Sequence, residues 1–280
     1  MSKRILVTGA AGKVGRVVVR DLLDHGYSVE GLDVVKPESP DSSFVVADMA
    51  DFGELFDVMR TVDAVIHLGA INFNRRRAEH VFFRDNTLGT YHVFHAAAAL
   101  GFDRVVWASS ETIFGLPMGQ NPPDHAPLTE DSPARCNSGY ALSKLLGEDI
   151  GANYHKTHGI ASAALRFTNV MGPGDYERFT TWQDDPSKRA WNMWGYVDVR
   201  DCAQACRLAM ETPLDSAHVL NITADDTAMK TPSADLMAAV FPDAGVGELP
   251  HPRATLISSE RAKRVIGYRP QHDWQTELGG

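Results

Sequence analysis

Thr8-Gly9-Ala10-Ala11-Gly12-Lys13-Val14-Gly15 decides the fold of this 280-residue chain. It follows a short β-rich apolar run, Arg4 to Thr8, and opens an amphipathic stretch, Val17 to His25. A strand that runs through spaced glycines into a helix presents bare backbone, outward N–H groups and the positive end of a helix dipole, which is what a diphosphate requires. The spacing is GxxGxxG and differs from the general GxGxxG fingerprint, so a tight turn packed with glycines would read alike. Asp33 separates the two readings. It ends the next β-rich run, Ser28 to Asp33, 18 residues after Gly15, where a carboxylate can accept from both hydroxyls of an adenosine ribose. A 2′-phosphate would be repelled there, which favours NAD over NADP, with Lys36 nearby as the opposing charge.

Outward from this turn the chain alternates. Further strands are expected at Phe44–Ala47, Ala64–Leu68, Arg104–Ser109, Ala161–Arg166 and His218–Ile222. Long helices are expected at Val81–Leu100 and Ser138–Thr157, with shorter ones at Pro232–Phe241 and Ser258–Ile266. Near-continuous apolar strands alternating with helices predict an α/β Rossmann fold: a doubly wound parallel sheet with helices on both faces. Two polar stretches, Gly115–Asn137 and Gly172–Trp194, follow strands and should lie above the carboxyl edge of the sheet, where such sheets bind ligands. The chain reads as one Rossmann domain over 1–280, with a small discontinuous C-terminal substrate lobe at about 172–195 and 223–280.

Composition narrows the class. A net charge of −9 argues against nucleic acid or an anionic membrane as partner, and 44 % hydrophobic residues describe a globular chain. Few apolar residues precede the glycines, so no secretory signal is expected. Three cysteines fit a reducing, cytoplasmic setting. Cys202 and Cys206 share a helix face without further ligands nearby, so no metal site is expected.

Tyr140-Ala-Leu-Ser-Lys144 places a phenol and an ammonium at i and i+4 on one helix face. A tyrosine titrates near 10 when unperturbed; a neighbouring cation favours its phenolate, and an oxidised nicotinamide would add a second positive charge. Ser110, at the end of the fifth strand, can hold the same substrate oxygen that the phenolate deprotonates. YxxxK alone is a weak signal; downstream of the glycine turn it gains force.

These residues carry a family resemblance. Together with Ala47-Asp48, His67-Leu-Gly-Ala70, Asn86, Ser109-Ser110-Glu-Thr-Ile-Phe-Gly115, Leu165-Arg-Phe-Thr-Asn-Val-Met-Gly-Pro-Gly174 and Tyr196-Val-Asp-Val-Arg-Asp201, the chain resembles the extended short-chain dehydrogenase/reductases, or NAD-dependent epimerases/dehydratases, over about residues 4 to 210. The resemblance implies Ser110, Tyr140 and Lys144 as the catalytic set. It implies NAD contacts from Gly9, Gly12, Lys13, Val14, Gly15, Asp33, Asp48, Met49, Leu68, Gly69, Ala70 and Asn86, besides Tyr140 and Lys144. Asp48 would hold the adenine amino group, and Lys144 the nicotinamide ribose.

Length then discriminates. Only 21 residues separate Gly174 from Tyr196, which leaves few groups to grip a substrate's nucleotide. The layout is similar to the compact uronate dehydrogenases, in which an arginine shortly after the sixth strand pairs with a substrate carboxylate. Arg178 stands at that place, where a surface arginine is the competing reading. Asn72, Glu111 and Asn169 complete the expected substrate contacts. Phe114 stands where the family commonly has tyrosine. Glu111 stands where dehydratases carry an acid and the uronate branch an amide, while Thr112 lacks the dehydratases' second acid. Arg75, Arg76 and Arg77 would either face an anionic substrate or start a solvated helix.

The implied activity is NAD-dependent oxidation of a secondary or anomeric hydroxyl of a sugar or sugar acid, with Tyr140 as base. The alternative is an NAD-retaining nucleotide-sugar epimerase or dehydratase of the UDP-glucose 4-epimerase kind. A non-catalytic NAD sensor fits less well, because it has no use for an activated phenol. The two long helices resemble those that pair into a four-helix homodimer bundle in this family.

Overall fold

A computed structural model describes residues 3–72 and 78–279. Arg75, Arg76 and Arg77 lie outside the described residues.

Seven parallel strands form the sheet: β1 (Arg4–Thr8), β2 (Ser28–Asp33), β3 (Ser43–Val46), β4 (Ala64–His67), β5 (Arg104–Ser110), β6 (Ala161–Phe167) and β7 (Ala217–Ile222). Their spatial order is β3-β2-β1-β4-β5-β6-β7. Strand order therefore reverses beside β1, between Thr8↔Leu32 on one side and Thr8↔His67 on the other. The crevice at such a reversal, outside the carboxyl ends, is where doubly wound sheets bind ligands.

Helices α1 (Lys13–Asp24), α2 (Phe52–Met59), α3 (Glu79–Leu100), α4 (Gly139–His158) and α5 (Val199–Glu211) cover the sheet. Val18 and Leu22 of α1 share one apolar cluster with Cys202, Cys206 and Ala209 of α5. Leu55 and Met59 of α2, Val93 and Phe94 of α3, and Tyr154 of α4 share the cluster on the opposite face. Burying both faces explains why the strands read as apolar runs and not as alternations. Helix α2 escaped the sequence pattern because it has only eight residues; Asp51 caps it, its side chain accepting from Gly53 N and Glu54 N.

The second half closes over the crevice. Residues 172–194 fold into two 3₁₀ segments, Pro173–Thr181 and Pro186–Asn192, and α6 (Ser233–Val240), α7 (Glu260–Ile266) and α8 (Trp274–Glu277) follow. A separate apolar cluster joins Phe114, Leu116, Met118 and Leu128 to Met193, Trp194, Met237, Phe241 and Leu256. The 114–128 stretch thus packs with the C-terminal elements. It carries too few periodic residues for this to be visible in sequence.

Candidate active site

The glycine turn is shaped by close contacts. Gly9 sits at φ +69°, and a Cβ on it would lie 2.7 Å from Gly69 N. A Cβ on Gly15 would lie 2.1 Å from the Gly9 carbonyl oxygen. Neither position has room for a side chain, so the strand, the turn and α1 stay tightly stacked. Gly12 caps α1 without a side-chain hydrogen bond, and the first turn holds no acidic residue. The N–H groups there remain available to an anion.

Asp33 Oδ2 accepts from Ala11 N at 3.1 Å, which ties the strand-end carboxylate to the glycine turn. Asp48 Oδ1 accepts from Ala50 N at 2.9 Å. Thr8 Oγ1 accepts from Gly69 N at 3.1 Å and bonds His67 Nδ1 at 2.8 Å. Burial pushes His67 down to about 3, so its ring is neutral. Asn86 spends its amide on the loop after β4, accepting from Ile71 N at 2.7 Å and donating to Ile71 O at 2.9 Å. Its role in this geometry is to hold that loop.

A cleft of about 1180 Å³ joins this cradle to the ends of β5 and β6. Every site residue expected from sequence lines it except Arg178. Ser110 ends β5, and its Oγ accepts from Thr112 N at 3.2 Å and Thr112 Oγ1 at 3.0 Å. Ser138 caps α4 by accepting from Ala141 N at 3.2 Å, which sets Tyr140 in the first turn. Lys144, one turn on, is 3 % exposed and donates from Nζ to Ala108 O at 2.8 Å. Its Nζ lies 5.7 Å from the Tyr140 ring centroid. Helix α4 lies this close to β5 because residue 147 is glycine: a Cβ there would meet the Trp107 ring at 2.6 Å.

The electrostatics depart from the simple expectation. Burial pushes the Tyr140 phenol up to about 12; a hydrogen bond to Ser110 lowers it and the Glu111 charge raises it. Burial also brings Lys144 down to about 8. In the protein alone, desolvation outweighs the cation beside the phenol.

Glu111 is 4 % exposed and lines the cleft. Burial pushes its carboxyl up to about 8, against the Arg189 charge and hydrogen bonds from Asn192 and the Asn169 backbone. Asn192 Nδ2 donates to Glu111 Oε1 at 3.4 Å, while Glu111 Oε2 has no protein partner. Arg189 donates to Asn169 Oδ1 at 3.3 Å and to Gly195 O at 3.1 Å. Its guanidinium lies 4.8 Å from the ring centroids of both Trp182 and Trp191. Met193 and Trp194 hold this wall in left-handed backbone, at φ 57° and 53°. Such backbone costs about 1–2 kcal/mol per residue and persists here because both side chains are fully buried.

Arg178 is exposed, its guanidinium 5.8 Å from the Trp182 ring centroid and off the cleft wall. The buried arginine of this segment is Arg189, eleven residues further on. Irregular 3₁₀ backbone carries no periodicity from which that choice is readable. Sequence reasoning also missed the Arg166–Glu148 ion pair beneath Ser109; a charge inside the otherwise apolar run 163–167 is the signal that a partner must exist.

The model for the NAD dependent epimerase/dehydratase family matches residues 5–223. The chain belongs to that family. It is 32 % identical over 232 residues to L-arabinose 1-dehydrogenase (NAD(P)(+)) of Haloferax volcanii, spanning 80 % of this chain and 89 % of that protein. It is 32 % identical over 183 residues to uronate dehydrogenase of Pseudomonas syringae pv. tomato, spanning 64 % of each. Among solved structures, a short-chain dehydrogenase/reductase superfamily protein of Agrobacterium tumefaciens with bound NAD superposes at TM-score 0.76, with 26 % identity over 99 % of this chain and 95 % of that one. NAD is the cofactor of this epimerase/dehydratase family member, and the side-chain-free cradle at Gly9 and Gly15 with Asp33 at the strand end fits it.

Proposed function

We propose that the protein oxidises a secondary or anomeric hydroxyl of a free sugar or sugar acid. The carrying observation is the convergence of Ser110, Tyr140 and Lys144 on the cleft that the glycine turn and Asp33 also line. The two relatives named as dehydrogenases, one for arabinose and one for uronates, support this substrate range.

Gly9, Gly12 and Gly15 would hold the NAD diphosphate, Asp33 the adenosine ribose, and Lys144 the nicotinamide ribose. When bound, NAD+ accepts the hydride from the carbon that bears the reacting hydroxyl. Ser110 holds the oxygen of that hydroxyl, and Tyr140 Oη takes its proton. Lys144 supports the phenolate with its charge and, through Ala108 O, stays locked against β5. Leu116, Pro117 and Trp191 add apolar surface to the same cleft.

Supplying NAD+ with a panel of aldoses and uronic acids tests the reading, with release of NADH expected. A protein that purifies with tightly held NAD and releases none is an NAD-retaining epimerase or dehydratase instead. Tyr140→Phe should cost about 10²–10⁴-fold in turnover and leave NAD binding intact; undiminished turnover contradicts the assignment.

The same reading takes the enzyme to be a cytoplasmic homodimer through α3 and α4. Leu88, Tyr91 and Leu142 support the pairing, being 36 %, 41 % and 40 % exposed on those helices. The three free cysteines, two of them buried, suit a reducing compartment. Among the described residues no helix is long and apolar enough to cross a membrane. Sedimentation at micromolar concentration should give twice the chain mass; a single-chain mass rejects the dimer.

A further inference from the structure

The wall of the cleft beside Ser110 holds an unpartnered buried oxygen. Glu111 follows Ser110 directly, is 4 % exposed, lines the cleft and leaves Oε2 without a hydrogen-bond partner. A buried carboxyl oxygen without a partner is costly, and a ligand that supplies the missing bond recovers that cost. Behind Glu111, Asn192 is fully buried and holds Oε1. Arg189 is 6 % exposed; one outer guanidinium nitrogen donates to Asn169 Oδ1 and Gly195 O, while its Nε has no partner.

The charges available to a substrate on this wall are few. Among the described residues the cations lining the cleft are Lys13, at the glycine turn, and Lys144, at the catalytic tyrosine. Arg178 is exposed and does not line it. Asp33, Asp48, Asp85 and Glu111 line it as acids. A substrate carboxylate seated against Glu111 therefore meets a second carboxyl group among the described residues that line the cleft, and the nearest cation, Arg189, already acts on Glu111 itself.

We propose that Glu111 is the residue that selects a neutral sugar hydroxyl over a carboxylate at the substrate's non-reacting end. The inference rests on the dehydrogenase reading above and narrows its substrate class to neutral aldoses. A hydroxyl both donates and accepts, so it satisfies Oε2 whether Glu111 is a carboxylate or a carboxylic acid. A substrate carboxylate only accepts, so it is tolerated only while Glu111 keeps its proton. The groups facing Glu111 are Arg189 and Asn192 from the 3₁₀ segment, Asn169 after β6, and Tyr140 from α4. Burial among them raises the Glu111 carboxyl to about 8, which places the change within the working range.

The test compares kcat/KM for sugars that differ only at one end: D-galactose against D-galacturonate, and D-glucose against D-glucuronate. Each pair is measured with saturating NAD+ between pH 6 and 9. Titration of Tyr140 acts on both members of a pair and cancels in their ratio. Expected is a preference for the neutral sugar that steepens above the Glu111 midpoint, approaching about tenfold per pH unit. Glu111→Gln offers an amide donor at every pH, and its ratio should lose that slope. A ratio that is flat in the wild type, or a wild-type slope retained in Glu111→Gln, overturns the inference. The wild-type profile decides alone if the variant does not fold. Failure to release NADH from all four sugars and from L-arabinose overturns the dehydrogenase reading itself, a result separate from a flat ratio.

Discussion

Glu148 and Arg166 form a buried two-pronged ion pair at the base of the active site, with Arg166 Nε on Oε1 at 2.8 Å and an outer guanidinium nitrogen on Oε2 at 2.7 Å. Ser109, beside Ser110, donates to the same Oε1 at 2.6 Å. Three elements meet in this one carboxylate: β5 through Ser109, β6 through Arg166, and α4 one turn beyond Lys144. Both side chains are nearly sealed, 6 % and 7 % exposed, so neither charge has water as a fallback. Removing one partner strands the other. Arg166→Leu should therefore cost about 3–5 kcal/mol of unfolding free energy, and adding Glu148→Met should restore most of it. Urea unfolding of the single and double variants checks this. A single variant within about 0.5 kcal/mol of wild type would contradict the account.

The glycine cradle makes a separate prediction. A methyl group at residue 15 would overlap the Gly9 carbonyl oxygen at 2.1 Å, and that atom is backbone, so it cannot swing aside. Gly15→Ala should lower stability by about 1–3 kcal/mol and weaken NAD binding, because the turn must open to admit the methyl. Thermal melting and NAD titration together report both effects. Wild-type values in the two measurements would show that the turn has slack.

The sheet, the two long helices and the glycine turn were legible because they rest on short-range rules. Apolar strand runs, Gly9-x-x-Gly12-x-x-Gly15 and a strand-ending Asp33 each carry their meaning within a few residues. Tyr140 and Lys144 were legible for the same reason, being one helical turn apart. The substrate wall was not. Glu111 meets Asn192 and Arg189 across about eighty residues of chain, through 3₁₀ segments with two left-handed residues, and no periodic pattern encodes that approach. Spacing from Asn169 points to Arg178, whereas that side chain is exposed and does not line the cleft.

Tyr140 and Lys144 titrate in opposite directions. Burial raises the phenol to about 12 and lowers the ammonium to about 8. With Tyr140 as the base of the proposed reaction, its deprotonated form is the active one, so kcat/KM for a neutral aldose should rise as pH rises from 6. Lys144 supports that base form only while charged, and it loses its charge above about 8, so the rise should bend over there. Lys144→Met should shift the rise to higher pH and lower turnover at pH 7 by about 10²-fold or more. An unshifted profile in that variant would remove Lys144 from the proton chemistry.

On the dehydrogenase reading proposed above, Asp33 sets the choice of cofactor. Its Oδ2 is fixed by Ala11 N, so the carboxylate cannot turn away from a 2′-phosphate without breaking that bond. A like-charge contact costing ~2 kcal/mol discriminates by roughly thirtyfold. NAD should therefore exceed NADP by at least this order in kcat/KM, and Asp33→Ser should narrow the gap chiefly by improving NADP. Equal use of both cofactors by the wild type would mean that Lys36 compensates the carboxylate.

Lys13 spans the mouth of the cleft. From the glycine turn its Nζ donates to Val170 O at 2.8 Å and to Asp175 Oδ2 at 2.5 Å, joining the cofactor cradle to the segment after β6. The ion pair is half open to solvent, with side chains 47 % and 33 % exposed, so its share of global stability should stay below about 1 kcal/mol. Its larger effect falls on the cofactor. The Lys13 hydrogen bond holds the Asp175 carboxyl below its usual range, so Asp175 is charged at working pH and competes with a diphosphate for the same ammonium. Asp175→Asn should release Lys13 and tighten NAD binding by up to about fivefold, the equivalent of ~1 kcal/mol. Lys13→Ala should weaken it, and both variants should melt within a few degrees of wild type. Calorimetric titration with NAD reads the two changes. Weaker binding in Asp175→Asn would show instead that Asp175 serves the cofactor by holding Lys13 in place.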